Sequence, residues 1–323
     1  MNALTFPILR LLSDGKFHSG EAIAQHFGIS RASVWNALQH AESLGIEVFS
    51  VRGRGYKLPS AIQLLDKAAV LKTIEIEYSD LQLEVHDHLP STNSYLMQNM
   101  HTYGHGTCVA TNLQSQGRGR RGRNWQASLG ASLIFSLLWR FQRGAAALSG
   151  LSLVVGIALI RSLNALGIDS AKLKWPNDVL IHGEKLAGIL IELQGDMEGA
   201  STAVIGVGIN LKLPDSIKQQ IDQPATDLHS IAPQTIDPNQ LLGSLLKHLR
   251  QVLTMFEQSG FSVFRDEWMQ HHAYHQQQVR MLMPDGKEHH GAVIGIAEDG
   301  SLLLATADGE QRFISGEVSL RAY

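Results

Sequence analysis

The sequence predicts a multidomain α+β chain in three parts: a winged helix-turn-helix, a mixed α/β domain and a small SH3-like β-barrel. Three observations carry that reading. Short capped helices separated by Gly28 precede a hairpin within residues 1–60. The middle alternates apolar runs of strand and helix length. The tail holds three Asp-Gly pairs, each between short apolar runs, the strongest local signal for a tight hairpin.

In order along the chain, residues 1–12 read as a short amphipathic helix, with no basic leader region before Asp14. Ser19 caps a helix whose apolar face is Ile23, Ala24 and Phe27, and Gly28 breaks it. Ser30 caps the next helix, where Val34, Leu38, Ala41 and Leu44 recur at helical spacing until Gly45. Residues 47–51 then pair with 56–58 across Arg52-Gly-Arg-Gly55, and Pro59-Ser60 sets the first boundary. The central domain, 61–272, is read with strands at 133–139, 172–175, 186–193 and 203–211 and an apolar helix at 151–166 closed by Gly167. Two late helices, 238–258 and 261–272, complete it. The third domain, 273–323, contains the turns Asp285-Gly286, Asp299-Gly300 and Asp308-Gly309.

Composition narrows the function. The 323 residues carry a net charge of −3, so any nucleic-acid contact must come from a local basic patch. A single cysteine, Cys108, excludes an internal disulfide, fits a reducing cytoplasmic setting and reads as buried filler. The longest apolar run, around 151–160, is too short to span a bilayer, and no membrane association is expected.

The most informative stretch is Gln114-Ser-Gln-Gly-Arg-Gly-Arg-Arg-Gly-Arg-Asn-Trp125. Its arginines repel one another and its glycines lose much entropy on ordering, so without an anion it should be mobile. With one, glycine lets backbone N–H groups approach and guanidinium forks match phosphate or carboxylate oxygens. A solvated basic loop or an RNA-binding segment fits the same residues. Lys174-Trp-Pro-Asn-Asp-Val179 ends a strand in a turn that leaves Asn177 and Asp178 at its tip, and Lys185 opens an apolar strand. Gly206-Val-Gly-Ile-Asn210 places two glycines on one strand, for a ligand or for a crowded sheet. There is no P-loop, no paired C-x-x-C and no H-E-x-x-H, and the adjacent pairs His271-His272 and His289-His290 do not have chelating spacing.

Ser91-Thr-Asn93, the Gly-Arg-Gly-Arg-Arg-Gly loop, Lys-Trp-Pro-Asn-Asp, Lys-Leu-Ala-Gly-Ile and Gly-Val-Gly-Ile-Asn occur together in the order found in bacterial biotin–protein ligases. With a winged helix in front and a small barrel behind, the chain resembles the members of that family that also repress biotin synthesis. The resemblance implies a central domain of the biotin/lipoate ligase type and an ATP- and Mg²⁺-dependent reaction. Biotinyl-5′-AMP would form first and pass biotin to a lysine of the biotin carboxyl carrier protein of acetyl-CoA carboxylase. The adenylate would also act as corepressor, promoting a homodimer on operator DNA.

Residue by residue, the resemblance assigns Ser91, Thr92 and Asn93, with Gln114, to the ureido head of biotin. Gly117, Arg118, Gly119, Arg120 and Arg121 would close over its carboxylate and the ATP phosphates. Lys185 would contact the reacting carboxylate and α-phosphate, with Arg120 and Asp178 as further catalytic candidates. Gly188, Gly206, Gly208 and Asn210 would line the adenylate, and Asn177 and Asp178 would lie near magnesium. The chain departs from the family at 221–228, where a large apolar side chain often meets adenine: only Ala225 stands there, flanked by Ile221 and Leu228. For DNA, Arg31, Ser33 and Asn36 are the base-reading candidates and Arg52 and Arg54, with Lys57 behind, the backbone contacts. Trp35 fits either packing against the helix partner or contact with DNA, and packing is the expectation. Three rival readings stay open: a lipoate or octanoate ligase, a transcription factor that only senses a small molecule, and a ligase whose winged helix regulates nothing.

Overall fold

The structure is a computed structural model that describes residues 2–74, 81–195, 199–221, 223–232, 234–283, 285–314 and 319–322. The first unit comprises α1 (Thr5–Leu11), α2 (Gly20–Phe27), α3 (Arg31–Ser43) and a two-stranded wing, β1 (Phe49–Val51) with β2 (Gly55–Lys57). Ser19 and Ser30 cap α2 and α3, their hydroxyls accepting from the backbone N–H of Ala22 and Ser33. Gly28 closes α2 at φ +64°, a left-handed turn that favours glycine. Val34, Leu38 and Ala41 are buried as expected, whereas Leu44 is the C-cap of α3 and only half-buried. Trp35 corrects its expectation: it is 54% exposed rather than packed away.

The central unit is built on a seven-stranded sheet in the order β3-β4-β7-β11-β10-β9-β8. Along the chain come α4 (Lys67–Thr73), β3 (Gln82–Leu89), α5 (Thr92–Asn99), β4 (Thr107–Gln114), the short hairpin β5 (Gly117–Arg118) and β6 (Asn124–Trp125), and β7 (Ser132–Phe141). There follow α6 (Leu151–Asn164), β8 (Ala171–Lys174), β9 (Asp178–Ile181), β10 (Glu184–Gly195), β11 (Ser201–Asn210), α7 (Asp215–Lys218), α8 (Leu228–Ile231), α9 (Pro238–Ser259) and α10 (Arg265–Gln270). Only β3 and β4 run parallel; every other neighbouring pair in this sheet is antiparallel. α6 is apolar nearly all round because it lies in the core, between the sheet and the amphipathic α9. The stretch 145–164 is long and apolar enough to cross a membrane by composition, yet most of it is buried inside the protein. Cys108 is fully buried in β4 and burial pushes its thiol pKa up, as suits packing rather than chemistry.

The second late helix is shorter than its sequence pattern. Ser262–Phe264 forms a 3₁₀ turn, α10 stops at Gln270, and the chain then pairs with the sheet edge. Leu173 N–H donates to the carbonyl of His271, and Ala273 N–H donates to that of Leu173. This seats His272 in the interior at 7% exposure, where its Nδ1 accepts from the backbone N–H of Tyr274. Burial lowers its pKa from 6.5 to about 3. Between those values the unfolded chain binds the extra proton, so His272 costs nothing above pH 6.5 and destabilises the fold as pH falls below it. The loss reaches about 2 kcal/mol at pH 5. Urea unfolding of wild type and His272→Gln should therefore show a smaller drop in stability between pH 7 and 5 for the variant; parallel pH dependences would refute the assignment.

The C-terminal unit is an antiparallel SH3-like sheet, ordered β15-β14-β13-β12-β16. Its strands are β12 (Gln278–Leu282), β13 (Glu288–Ile296), β14 (Leu302–Thr306), β15 (Gly309–Phe313) and β16 (Ser319–Ala322). The three Asp-Gly pairs sit between successive strands, with Gly286, Gly300 and Gly309 at φ +84°, +83° and +105°. The Asp299-Gly300 turn also docks on the central unit, where the carbonyl of Gly300 accepts the buried indole N–H of Trp175 at 3.0 Å.

The winged unit is seated on β3 and β4. Arg10 pairs with Asp87 at 2.5 Å, and Phe6 stacks on His88 with the rings 11° from parallel. Leu113 and Leu129 join the apolar core of the winged unit. Asn112 steadies this seam from the central side, donating to Asp87 and accepting the backbone N–H of Leu65.

Candidate active site

A cavity of about 280 Å³ opens over the middle of the sheet. Its floor is β10 and β11, paired so that Gly188 faces Gly208 and Leu190 faces Gly206. Gly206 and Gly208 are two residues apart and share a face. A Cβ on Gly206 would collide with the Asn93 carboxamide, and one on Gly208 would stand 2.6 Å from the Trp125 ring. The glycines thus keep the floor low enough for side chains from α5 and the β5–β6 hairpin to lie on it. Gly208→Ala should raise the concentration of biotin needed for half-maximal adenylate formation at least tenfold while leaving the melting temperature within a few degrees. Unchanged kinetics would remove Gly208 from the site.

The end near Gly206 is neutral and buried. Ser91 caps α5, its hydroxyl accepting from Ser94 N–H. Thr92 donates its backbone N–H to Gln114 Oε1 at 2.9 Å. Ser136 Oγ lies 2.7 Å from Thr92 Oγ1 and 2.6 Å from Asn93 Oδ1, its single proton serving one at a time. Asn93 Nδ2 donates to the carbonyl of Leu190 and to Glu192 Oε2. This end offers hydroxyl and amide donors and acceptors, and the one carboxylate beside them, Glu192, is balanced by Arg118 at 2.7 Å.

About 7 Å along the strands, near Gly188 and Gly208, the character changes to cationic. Lys185 occupies a β-bulge where the β10–β9 register shifts, and its Nζ lies 2.6 Å from Asp178 Oδ1 and 5.8 Å from the Trp125 ring. The bulge aims the ammonium at the cavity. Asn210 holds the strand from behind, its Nδ2 donating to the carbonyls of Lys185 and Thr226. Arg120 donates to Asn177 Oδ1 at 3.0 Å, and Arg118 pairs with Glu192 at 2.7 Å. The arginine loop thus has a defined course, a hairpin closed by Gly119 N–H donating to the carbonyl of Arg123. Protein acceptors hold three of its arginines, Arg118, Arg120 and Arg123, where the sequence suggested a mobile segment.

Most of the expected residues converge: Ser91, Thr92, Asn93, Gln114, Arg118, Gly119, Arg120, Asn177, Lys185, Gly188, Gly206, Gly208 and Asn210 all line this cavity. Gly117 lies beneath Trp125, where a Cβ would stand 2.5 Å from the carbonyl of Trp125. Arg121 is exposed at φ +58° and does not line the cavity. Asp178 lies behind Lys185, buried between it and Lys174, with Nζ of Lys174 at 3.9 Å. Ala225 and Ile221 do reach the cavity, the backbone of Ala225 bridging Lys185, while Leu228 turns into the core.

Four contributors escaped the sequence reading. Ser136 and Glu192 lie on strands and meet the site only through pairing. Trp125 was visible at the end of the arginine run, but nothing in the run marked it as the ring that covers the floor. Lys174 belongs to a legible motif; burial, outweighing the pull of Asp178, lowers its pKa to about 8.

Among the described residues no group of three or more His, Cys, Asp or Glu side chains is placed to cage a metal. Asn177 lines the cavity and Asp178 stands behind Lys185, so a Mg²⁺ there would take most of its ligands from phosphate and water and at most these two protein oxygens.

Comparisons with known proteins agree with this geometry. Residues 85–210 match the biotin/lipoate A/B protein ligase family, 5–57 an HTH domain and 275–321 the biotin protein ligase C-terminal domain. The chain is 38% identical to the bifunctional ligase/repressor BirA of Salmonella typhimurium, over 100% of this chain and 99% of that one. It is 37% identical to BirA of Escherichia coli, over 99% and 98%. The biotin protein ligase of Aquifex aeolicus, solved in complex with biotin and ATP, superposes with a TM-score of 0.65 at 29% identity, covering 75% of this chain and 99% of that one. With full-length likeness, three matching domains in order and a cavity that is neutral at one end and cationic at the other, the chain belongs to the bifunctional ligase/repressor BirA family.

Proposed function

We propose that the protein is an ATP-dependent biotin–protein ligase that also represses transcription when loaded with biotinyl-5′-AMP. The observation that carries the enzymatic part is the two-ended cavity. A neutral bicyclic urea needs paired donors and acceptors, which Thr92, Asn93, Gln114 and Ser136 supply. A carboxylate and a polyphosphate need fixed cations, which Lys185 and Arg120 supply from the other end, while Arg118 is held beside Asn93 by Glu192.

In the first half-reaction a biotin carboxylate oxygen attacks the α-phosphorus of ATP; the new P–O bond forms as the bond to pyrophosphate breaks. Lys185, oriented by Asp178, stands to neutralise charge on the α-phosphoryl oxygens. In the second, an acceptor lysine amine attacks the anhydride carbonyl, AMP departs, and the nitrogen loses its proton. No protein nucleophile is needed, so catalysis rests on positioning and charge. Closure of the arginine loop shields the anhydride from water between steps. Asn177 and Asp178 are the residues that would hold a Mg²⁺ brought by the ATP phosphates, and it would supply further neutralisation of phosphate charge.

The acceptor is the lysine of a biotin carboxyl carrier domain in the cytoplasm, and the domain limits 60 and 272 separate the DNA-reading, catalytic and C-terminal parts. A two-fold operator requires two reading heads, so the adenylate-bound protein acts as a homodimer. The exposed Arg31 and Asn36 with half-buried Ser33 face bases, and the exposed Arg52 and Arg54 face phosphates. Biotin-dependent release of pyrophosphate from MgATP, followed by label transfer to a carrier domain, tests the enzyme. Absence of biotin-dependent release would overturn it, and lipoate outcompeting biotin would transfer the reading to a lipoate ligase.

A further inference from the structure

Four of the five tryptophans are accounted for: Trp139, Trp175 and Trp268 are buried and Trp125 lines the active-site cavity. Trp35 stands 54% exposed on α3. The buried stripe of α3 (Val34, Ala37, Leu38 and Ala41) leaves Arg31, Ala32, Trp35, Asn36 and Gln39 outside. Helical spacing places Trp35 one turn after Arg31 and over the small Ala32, so the indole projects from the middle of that exposed face.

The surroundings are cationic. Arg31 lies at the start of the helix, and the wing holds Arg54 and Lys57 in fixed places: the guanidinium is 4.3 Å and the ammonium 5.3 Å from the Phe17 ring centre. A polyanion is the partner this charge pattern fits, but phosphate offers an indole nothing. The apolar groups that duplex DNA presents in its major groove are the C5-methyls of thymine. We infer that Trp35 is a specificity-determining contact that covers a thymine methyl, between the hydrogen-bonding side chains of Arg31 and Asn36. The inference rests on the DNA-binding reading above and adds to it an apolar element that charge and hydrogen bonding do not supply.

The test selects duplexes from a random library with the full chain, biotin and MgATP, then replaces each consensus thymine by uracil, which removes only the methyl. At one or two positions per half-site, uracil should weaken wild-type binding about fourfold, the worth of one methyl group. Trp35→Ala should bind the parent site at least tenfold more weakly and be indifferent to uracil at those positions, with Trp35→Phe between. Both variants should melt with the wild type, because the ring contributes to no core. If uracil affects wild type and Trp35→Ala alike, or neither, the inference falls while DNA binding stands. If Trp35→Ala instead lowers dimer mass in sedimentation and leaves the uracil response intact, the ring meets a second copy of the chain and the inference again falls. If the selection enriches no sequence, the DNA-binding reading fails and the inference with it.

Discussion

Lys185→Ala should lower biotin-dependent pyrophosphate release by about 10³-fold, the cost of removing one preorganised cationic donor from a developing phosphoryl charge. The loss should fall mainly on kcat, since the neutral end that grips the biotin head lies about 7 Å away and is untouched. The substitution also frees Asp178, whose carboxylate is 2.6 Å from Lys185 Nζ and 3.9 Å from Lys174 Nζ. Lys174 remains to compensate that buried charge, so the variant should stay folded, which circular dichroism would verify. A fall of less than tenfold would place the reacting phosphorus away from Lys185 and shift the burden to the loop arginines.

Trp175→Ala should be the most damaging change to stability outside the cavity. The indole is fully buried, and its Nε1–H donates to the carbonyl of Gly300 across the join between the catalytic and C-terminal units. Truncating a buried tryptophan costs about 3–5 kcal/mol, and the orphaned carbonyl adds about 1 kcal/mol or more. Trp175→Phe keeps most of the packing and should lose only about 1–2 kcal/mol. Differential scanning calorimetry on both variants would decide: equal losses would show that the hydrogen bond and the bulk of the ring contribute nothing distinct. Because this tryptophan belongs to the Lys-Trp-Pro-Asn-Asp string, one short motif serves two purposes. Lys174 and Asp178 support Lys185 from behind, and Trp175 fastens the C-terminal unit.

What could be read in the sequence was local in origin. Ser19, Ser30 and Gly28 mark helix ends by hydrogen bonds made within three residues and by a single backbone angle. The Asp-Gly pairs mark turns for the same reason. The uniform apolarity of residues 151–160 announces a core helix because no face of it meets water. β3 and β4 left no such trace. Their His86, His88, Thr111 and Asn112 interrupt the alternation, since these strands carry the winged unit on one side and lead into the ligand pocket at their ends. The same physics hid Ser136 and Glu192: each is polar and ordinary by itself, and becomes part of a site only when strands distant in sequence are laid side by side. The resemblance groups Arg121 with its neighbours, but it stands exposed on a left-handed backbone, off the cavity. From the sequence Trp35 fits packing against the helix partner or contact with DNA, packing being the expectation. Its exposure is legible only once the stripe of α3 is seen to be complete without it.

The seating of the winged unit has a genetic corollary. Asp87, itself held by Asn112, anchors the reading head on the same two strands that lead to Ser91 and Gln114. Alleles recovered for lost gene silencing should therefore sort by distance along those strands. Lesions at Arg10, Asp87 or Asn112 should release the operator while cells still grow without added biotin supply. Lesions at Gln114 should fail on both counts, because there the anchor of the head and the grip on the vitamin are neighbouring turns of one backbone.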